Sequence, residues 1–213
     1  MKFFKLKAAA IGCITALALA SGASAASLSV VDASVDPVQN TKQNPCIIAG
    51  TVCPTQPASL PYTKYNNAGN LSAISEWSPE YTVAKIRSIA GNVISIGLDV
   101  NQTNANSPQT LVNFAMYING ALIDQMAAPV VVAAGNNGIG WADWLITGFT
   151  SLAGYGDNDK VQFFASMRGM NDGPEKFFLV GVPGAVIPLP ATGLLLLGGL
   201  GGLIAFGRRR KTV

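Results

Sequence analysis

The stretch Thr110-Leu-Val-Asn-Phe-Ala-Met-Tyr-Ile118, followed by Asn119-Gly120 and then by Ala121-Leu-Ile-Asp-Gln-Met126, decides the fold. In the first run, apolar side chains recur at every second position, as in a strand with one buried face. Asn-Gly between two such runs is the strongest short-range signal for a β-hairpin, because both residues accept the positive φ of a type I′ turn. The sequence therefore predicts an antiparallel pair of strands at 110–118 and 121–126.

The same alternation extends outward from this hairpin. In Asn92–Val100, apolar residues alternate with small or polar ones, which predicts another half-buried strand. Further strands are expected at Ser27–Ser34, Tyr81–Ile89, Trp141–Phe149, Lys160–Met167 and Lys176–Gly181. Turn-rich segments separate them, and no helix-period stretch of convincing length lies between the apolar segments near the two ends of the chain. The pattern predicts an all-β domain, a single antiparallel β-sandwich of the jelly-roll or immunoglobulin type.

The first 25 residues have the three parts of a secretory signal peptide. Three lysines lie within the first seven residues, residues 8–20 are apolar, and the small residues Ala23, Ser24 and Ala25 precede Ala26. This arrangement predicts export through the general secretory pathway, with cleavage between Ala25 and Ala26.

The last 27 residues have the composition of a membrane anchor. No charged residue occurs between Lys176 and Arg208, and the 17 residues 191–207 are almost wholly apolar. A helix of this length rises about 25 Å, slightly less than the hydrocarbon thickness of a bilayer, a difference that snorkelling arginines accommodate. The cations Arg208, Arg209, Arg210 and Lys211 are expected to stay in the cytoplasm. We therefore expect a single transmembrane helix at 191–207.

This tail resembles the PEP-CTERM class of sorting signals, in the variant whose motif reads Val-Pro-Leu-Pro-Ala. The chain has Ile187, Pro188, Leu189, Pro190 and Ala191, with Ile in place of Val, followed by the Leu/Gly-rich span and the arginine cluster. The resemblance implies recognition by an exosortase, a membrane cysteine transpeptidase or protease of Gram-negative bacteria, which cuts near the Pro-Ala step. It implies a precursor anchored in the inner membrane and a mature form on the cell surface or in the extracellular matrix.

A second sorting pathway fits part of the same segment. Residues 189–193 read Leu-Pro-Ala-Thr-Gly, a full Leu-Pro-x-Thr-Gly sortase motif. Sortase substrates usually keep a few polar or acidic residues between the motif and the span, whereas Leu194 follows Gly193 directly. Pro188 also fits the exosortase pattern better. Exosortase is therefore the favoured enzyme and sortase the alternative.

The exported part differs in charge from the whole chain. The net charge of +3 includes 3 basic residues before the expected cleavage site and 4 in the tail, so 7 basic residues remain against 11 acidic ones, or −4. A negative domain gives no electrostatic support for a nucleic-acid partner. Between the signal peptide at 1–25 and the sorting signal at 187–213, we expect an irregular N-terminal segment with a disulfide loop at 26–72 and a sandwich core at 73–186. Residues 36–72 are the least regular and are expected to drape over the sandwich.

Cys46 and Cys53 are the two cysteines of the exported part. An even number in an exported chain predicts a disulfide bond between them. A metal or redox site is the weaker interpretation, because the spacing is not Cys-x-x-Cys and the chain has no histidine. The lack of histidine also excludes a Ser-His-Asp triad and a His-ligated zinc site. An enzyme is not predicted, although a pair of carboxylates would serve glycosidase chemistry.

Two tryptophans and an aspartate are candidates for a ligand site. Trp141 and Trp144 are three positions apart, so a regular strand turns them to opposite faces and leaves Asp143 on the face of Trp141. An exposed aromatic ring beside a carboxylate would form a sugar-binding pair. Packing of the tryptophans in the core is the favoured explanation.

Two Asp/Asn-rich segments are candidates for calcium binding. Asp157 and Asp159 flank an asparagine, and Asn171-Asp172-Gly173 repeats part of that composition. Both offer the oxygen ligands that calcium prefers, but the first lacks the full EF-hand pattern. Ordinary turn chemistry is the favoured explanation. No metal or other cofactor is expected apart from this calcium alternative.

Together these observations predict an exported bacterial protein with a structural or adhesive role in the cell envelope or the exopolysaccharide matrix. The matrix association rests on the resemblance of such exosortase systems to machinery that accompanies exopolysaccharide production. The alternatives are a carbohydrate- or calcium-dependent binding module and a sortase-anchored cell-wall protein. The expected partners are the exosortase, the inner membrane before processing and, as a candidate, exopolysaccharide.

Overall fold

The computed structural model describes residues 25–33, 38–53, 55–65, 72–101, 108–133, 135, 140–170, 173 and 175–181. Ala23, the sorting motif at 187–191, the transmembrane helix expected at 191–207 and the basic tail at 208–211 lie outside these residues. None of the helices within the described ranges combines the length and the apolar character needed to cross a membrane.

The described elements are short and follow one another closely. The strands are β1 Ala26–Asp32, β2 Cys46–Ala49, β3 Thr63–Lys64, β4 Ala73–Trp77, β5 Tyr81–Thr82, β6 Ser95–Asp99, β7 Gln109–Ile118, β8 Ala121–Met126, β9 Val130–Val132, β10 Trp144–Thr147, β11 Lys160–Arg168 and β12 Lys176–Val180. The α-helix α1 spans Val83–Ala90, and a 3-10 turn spans Leu152–Gly154.

These strands form one sheet that is nearly closed into a barrel. Its order is β3-β2-β12-β6-β10-β1-β8-β7-β11-β4, with β5 beside β11 and β9 beside β7. The pairs are antiparallel except for β1 with β8 and β2 with β3. At the seam between β3 and β4, the hydroxyl of Thr63 donates a hydrogen bond of 2.6 Å to the carbonyl oxygen of Trp77. The prediction of an all-β domain is confirmed.

The hairpin of β7 and β8 has the predicted turn. Asn119 and Gly120 have φ values of 51° and 78°, the positive values that a type I′ turn requires. Ile118 pairs with Ala121, and one irregularity in register follows between Met116 and Tyr117. The hairpin prediction is confirmed.

The strand predicted at Tyr81–Ile89 is wrong. Its first two residues form β5, and α1 follows at Val83. The Thr82 side chain accepts a hydrogen bond of 3.2 Å from the backbone N–H of Lys85, which caps the helix N-terminus. The buried residues recur at helical spacing along one face: Val83, Ile86 and Ala90. The helix has only eight residues, so its helical spacing rests on three buried positions, too short a run for a helix to be recognised from the pattern alone.

The strand predicted at Ser27–Ser34 is confirmed as β1, but the rest of the segment 26–72, expected to be irregular, also contributes β2 and β3 to the sheet. All four residues of β2 are buried, and the strand lies between β3 and β12. Four consecutive apolar residues give no periodicity from which a strand can be recognised. The part at 38–44 covers the sheet from outside: Gln39 bridges to Trp141, and Val38 packs against the cluster of Ala33, Ala142 and Phe178.

The sheet has two halves that share β1: one contains β2, β3, β6, β10 and β12, and the other contains β4, β5, β7, β8, β9 and β11. The main core lies between these halves. At its centre four phenylalanine rings pack with centroids 5.6 to 6.4 Å apart: Phe114, Phe149, Phe163 and Phe177. A smaller cluster of Ala33, Ala142 and Phe178 lies on the opposite face of β12. The predicted disulfide between Cys46 and Cys53 is confirmed, and it joins β2 to the loop that follows it.

Candidate functional site

A buried ion pair lies where β6 ends and β12 begins. Asp99 and Lys176 are neighbours in register, and Nζ of Lys176 is 3.1 Å from Oδ2 of Asp99. The backbone N–H of Gly140 donates a 2.8 Å hydrogen bond to the same oxygen. The pair is on the outer face of the sheet, because Leu98 and Phe177 point to the main core. Burial raises the pKa of Asp99, and the charge of Lys176 opposes this.

Asp143, a predicted ligand-site residue, lies beside this pair and is 5% exposed. Its two carboxylate oxygens accept hydrogen bonds of 2.7 Å from the backbone N–H groups of Val100 and Gly135. Burial raises the pKa of Asp143 to about 6, and these two bonds oppose the shift. The carboxylate therefore holds two loop segments together.

Glu175 forms a second buried polar group on the core side of the same sheet end. The amide nitrogen of Gln109 donates to Oε1 of Glu175, and the Tyr65 hydroxyl lies 3.2 Å from Oε2. Burial raises the pKa of Glu175 to about 7, and the bond from Gln109 opposes the shift. Glu175 and Lys176 are adjacent in sequence and point to opposite faces of β12. Sequence analysis did not identify these residues, because charged residues at strand ends are ordinarily exposed.

The two tryptophans of the predicted ligand site are both half-buried. The indole N–H of Trp144 donates a 2.8 Å hydrogen bond to the carbonyl oxygen of Ala133, and the ring packs against the main core. Trp141 lies outside β10 and bridges to Gln39. The structure therefore does not bring Trp141 and Asp143 together on an open face.

Asp157 and Asp159 are engaged in a turn. Asp157 forms an ion pair of 2.6 Å with Arg87 of α1. Asp159 accepts hydrogen bonds from the backbone N–H of Gly156 at 2.7 Å and from the side chain of Asn119 at 3.0 Å. The bond from Asn119 and the bond from Gly156 lower the pKa of Asp159.

These two aspartates lie at the other end of the sheet from Asp143. The ten-residue strand β7 begins at Gln109, which contacts Glu175, and ends next to Asn119, which contacts Asp159. A strand of ten residues spans about 30 Å. The described residues contain no group of three acidic, cysteine or histidine side chains arranged to hold a metal ion. Asp172 of the second calcium candidate lies outside the described residues.

Three aromatic side chains meet on the outer face of the half of the sheet that contains β4, β7 and β11. Trp77 on β4 has its ring centroid 4.9 Å from that of Phe164 on β11 and 4.9 Å from that of Tyr117 on β7. We call these three residues the aromatic strip. Trp77 is 42% exposed and the other two are half-buried. Sequence analysis could not assemble this group, because only the strand register brings residues 77, 117 and 164 together.

The described part of the chain thus contains buried carboxylates that hold loops in place and an aromatic group that faces solvent. Of these, only the aromatic strip presents a surface to a ligand without rearrangement of the fold. Neither a protein-family model nor a curated protein nor a solved structure matches this chain.

Proposed function

We propose that this chain is an exported bacterial protein whose β domain has a structural or adhesive role at the cell surface or in the exopolysaccharide matrix. An exosortase would process its tail. The observation that carries the proposal is the combination of the Ile187–Ala191 motif, the apolar run at 191–207 and the cations at 208–211. With a signal peptide at the other end, the domain between them is the cargo of a sorting pathway.

The position of the last strand supports processing of the tail. β12 ends at Val180, seven residues before Ile187. Cleavage near Pro190 would therefore leave every described strand in place. The disulfide between Cys46 and Cys53 is also typical of a protein that folds in an oxidising compartment.

Within the all-β class, we assign the domain to the β-sandwiches. β1 takes part in both halves: its residues 29–32 pair with β10, and its residues 26–28 pair with β8. The main core lies between the two halves, as in a sandwich.

A carbohydrate-binding module is the second candidate function. The observation that favours it is the exposure of Trp77 beside Phe164 and Tyr117, because aromatic rings on a sheet face stack on the faces of sugar rings. This function is compatible with the first, since an adhesive domain needs a ligand.

The intact mass and C-terminus of the protein from its native host, measured separately in envelope and culture medium, test the sorting proposal. We expect a chain that ends near Pro190 or Ala191. A variant with Pro188→Ala and Pro190→Ala should keep Val213, whereas Val93→Ser, an exposed change in the domain, should be processed normally. A wild-type chain that ends in Val213 and needs detergent for extraction would contradict the proposal. A C-terminus at Thr192 joined to the cell wall would favour sortase.

A further inference from the structure

The Trp77 ring is held in place before any ligand arrives. Trp77 pairs in register with Phe164, and its ring reaches across β11 to contact Tyr117 as well. The hydrogen bond from Thr63 fixes its backbone carbonyl. A ring with fixed neighbours loses little conformational entropy on binding. Its exposed part is therefore a pre-organised stacking surface.

The positions around the ring carry side chains that form hydrogen bonds. Five outward-facing residues of these strands are polar, with Ala73, Ala115 and Leu122 also on this side: Ser75, Asn113, Gln125, Gln162 and Ser166. The amide nitrogen of Gln162 donates a hydrogen bond of 3.0 Å to the carbonyl oxygen of Ser78, and this bond fixes the orientation of the Gln162 side chain. Hydroxyl and carboxamide groups both donate and accept, as the hydroxyls of a sugar require.

Cations lie at both ends of this face, although the exported part as a whole is negative. Lys160 and Arg168 are exposed at the two ends of β11, about 26 Å apart. The acids of β4 and β8, Glu76 and Asp124, alternate to the inner side. Glu80, exposed just before β5, and Asp159, bonded to its own turn, lie at the end of β11 where Lys160 is. None of the described carboxylates forms an ion pair with Lys160 or Arg168. The end of the face at Arg168 is thus complementary in charge to an anion.

The composition of this face argues against a second copy of the chain as its occupant. Stable dimers bury about 800 Å² per partner around an apolar centre. Among the outward positions of β4, β7, β8 and β11, the large apolar residues that are exposed are Trp77 and Leu122. Polar and cationic side chains surround them, which suits a hydroxylated polymer better than a protein.

We propose that the aromatic strip and the outward face of β11 bind an acidic polysaccharide of the polyuronate type. One sugar ring stacks on Trp77, the surrounding amides and hydroxyls bond to sugar hydroxyls, and Lys160 and Arg168 pair with sugar carboxylates. This inference rests on the proposed adhesive function and names the chemical class of its matrix partner.

Binding of the purified protein to polygalacturonate and to dextran, a neutral glucan, tests the inference. The whole chain as isolated from its host is used, in detergent where the tail is retained, so that the result does not depend on processing. We expect binding to polygalacturonate at least tenfold tighter than to dextran, weakening with salt, and a change in tryptophan fluorescence. Equal binding to both polymers would overturn the acidic assignment, and no binding to either would overturn the inference while leaving the sorting proposal intact.

Variants locate the site. Trp77→Ala should lower the affinity for polygalacturonate at least tenfold, and Trp77→Phe, which keeps the ring packing, should lose the fluorescence change. Arg168→Glu, an exposed change that the fold tolerates, should weaken binding and reduce its salt dependence. Val93→Ser, an exposed apolar residue away from the strip, is the matched control. Unchanged affinity in both Trp77→Ala and Arg168→Glu would place the site elsewhere and refute the proposal.

Discussion

The hydroxyl of Thr63 and the carbonyl oxygen of Trp77, 2.6 Å apart, connect the first and last strands of the sheet path. β3 has only two residues, and it meets β4 through this side chain rather than through a ladder of backbone bonds. Unpaired strand edges are sites at which other chains can pair. One side-chain hydrogen bond thus spans the seam and also fixes the residue that we place at the centre of the polysaccharide site.

Thr63→Val should weaken the seam. The change removes the donor and keeps the shape of the side chain, so we expect the free energy of unfolding to fall by about 1 kcal/mol. Urea denaturation measures this. Thr147→Val makes the same change on β10, where the described residues show no hydrogen bond from the hydroxyl, and should have a smaller effect. Equal effects of the two changes would contradict a specific role of the seam bond.

Gly97→Ala should destabilise the domain. Gly97 pairs with Phe178, and an added Cβ would lie 2.5 Å from two carbon atoms of the phenyl ring. Because the ring is buried against Ala33 and Ala142, it cannot move aside freely. We expect a loss of about 1–3 kcal/mol in unfolding free energy. Gly154→Ala, with no atom within 4 Å of its Cβ position, is the control and should be close to neutral. A neutral Gly97→Ala variant would show that Phe178 repacks easily.

Lys176→Met should lower the free energy of unfolding, because it leaves a buried charge without a partner. The substitution leaves Asp99 buried without its cation, for which we expect a loss of about 3–5 kcal/mol at pH 8. Because burial already raises the pKa of Asp99, the loss should be smaller at pH 5, where the carboxyl group takes up a proton more easily. The double variant with Asp99→Asn should recover part of the stability. A single variant as stable as the wild type at pH 8 would contradict this account.

The free energy of unfolding should be higher at pH 5 than at pH 8. Burial raises the pKa of Glu175 to about 7 and that of Asp143 to about 6, above the values near 4 of the unfolded chain. The folded state therefore binds more protons between pH 4 and 7, and stability falls as pH rises through that range, by about 4 kcal/mol between pH 5 and pH 8. Urea denaturation at several pH values measures how the free energy of unfolding changes with pH. Glu175→Gln should reduce this pH dependence. A free energy of unfolding that rises from pH 5 to pH 8 would refute the prediction.

Local patterns predicted those parts of the fold that depend on a few neighbouring residues. The Asn119-Gly120 turn and the two runs beside it are specified by residues adjacent in sequence, and they form as predicted. The disulfide followed from there being two cysteines in the exported part. β11 was predicted to within one residue, and burial alternates along all nine of its residues.

Features that depend on register or on short apolar runs could not be predicted. α1 shows its helical spacing at only three buried positions within eight residues, and β2 has no alternation at all. The pairing of Asp99 with Lys176 and the meeting of Trp77 with Tyr117 join residues 77 and 40 positions apart. Only the order of the strands brings such residues together, and no local pattern encodes that order.

The location of β12 has a consequence for the order in which the chain, exported as proposed, can fold as it emerges on the outer side of the membrane. It is the last described strand to be made, yet it lies in the interior of the sheet, between β2 and β6. Until residue 180 emerges, the strand that pairs with both β2 and β6 is missing, and Asp99 lacks its partner Lys176. A prematurely terminated chain would therefore remain open to proteases, whereas a chain cut after Gly181 would keep every described strand. The fold thus distinguishes truncated translation products from chains trimmed at the tail.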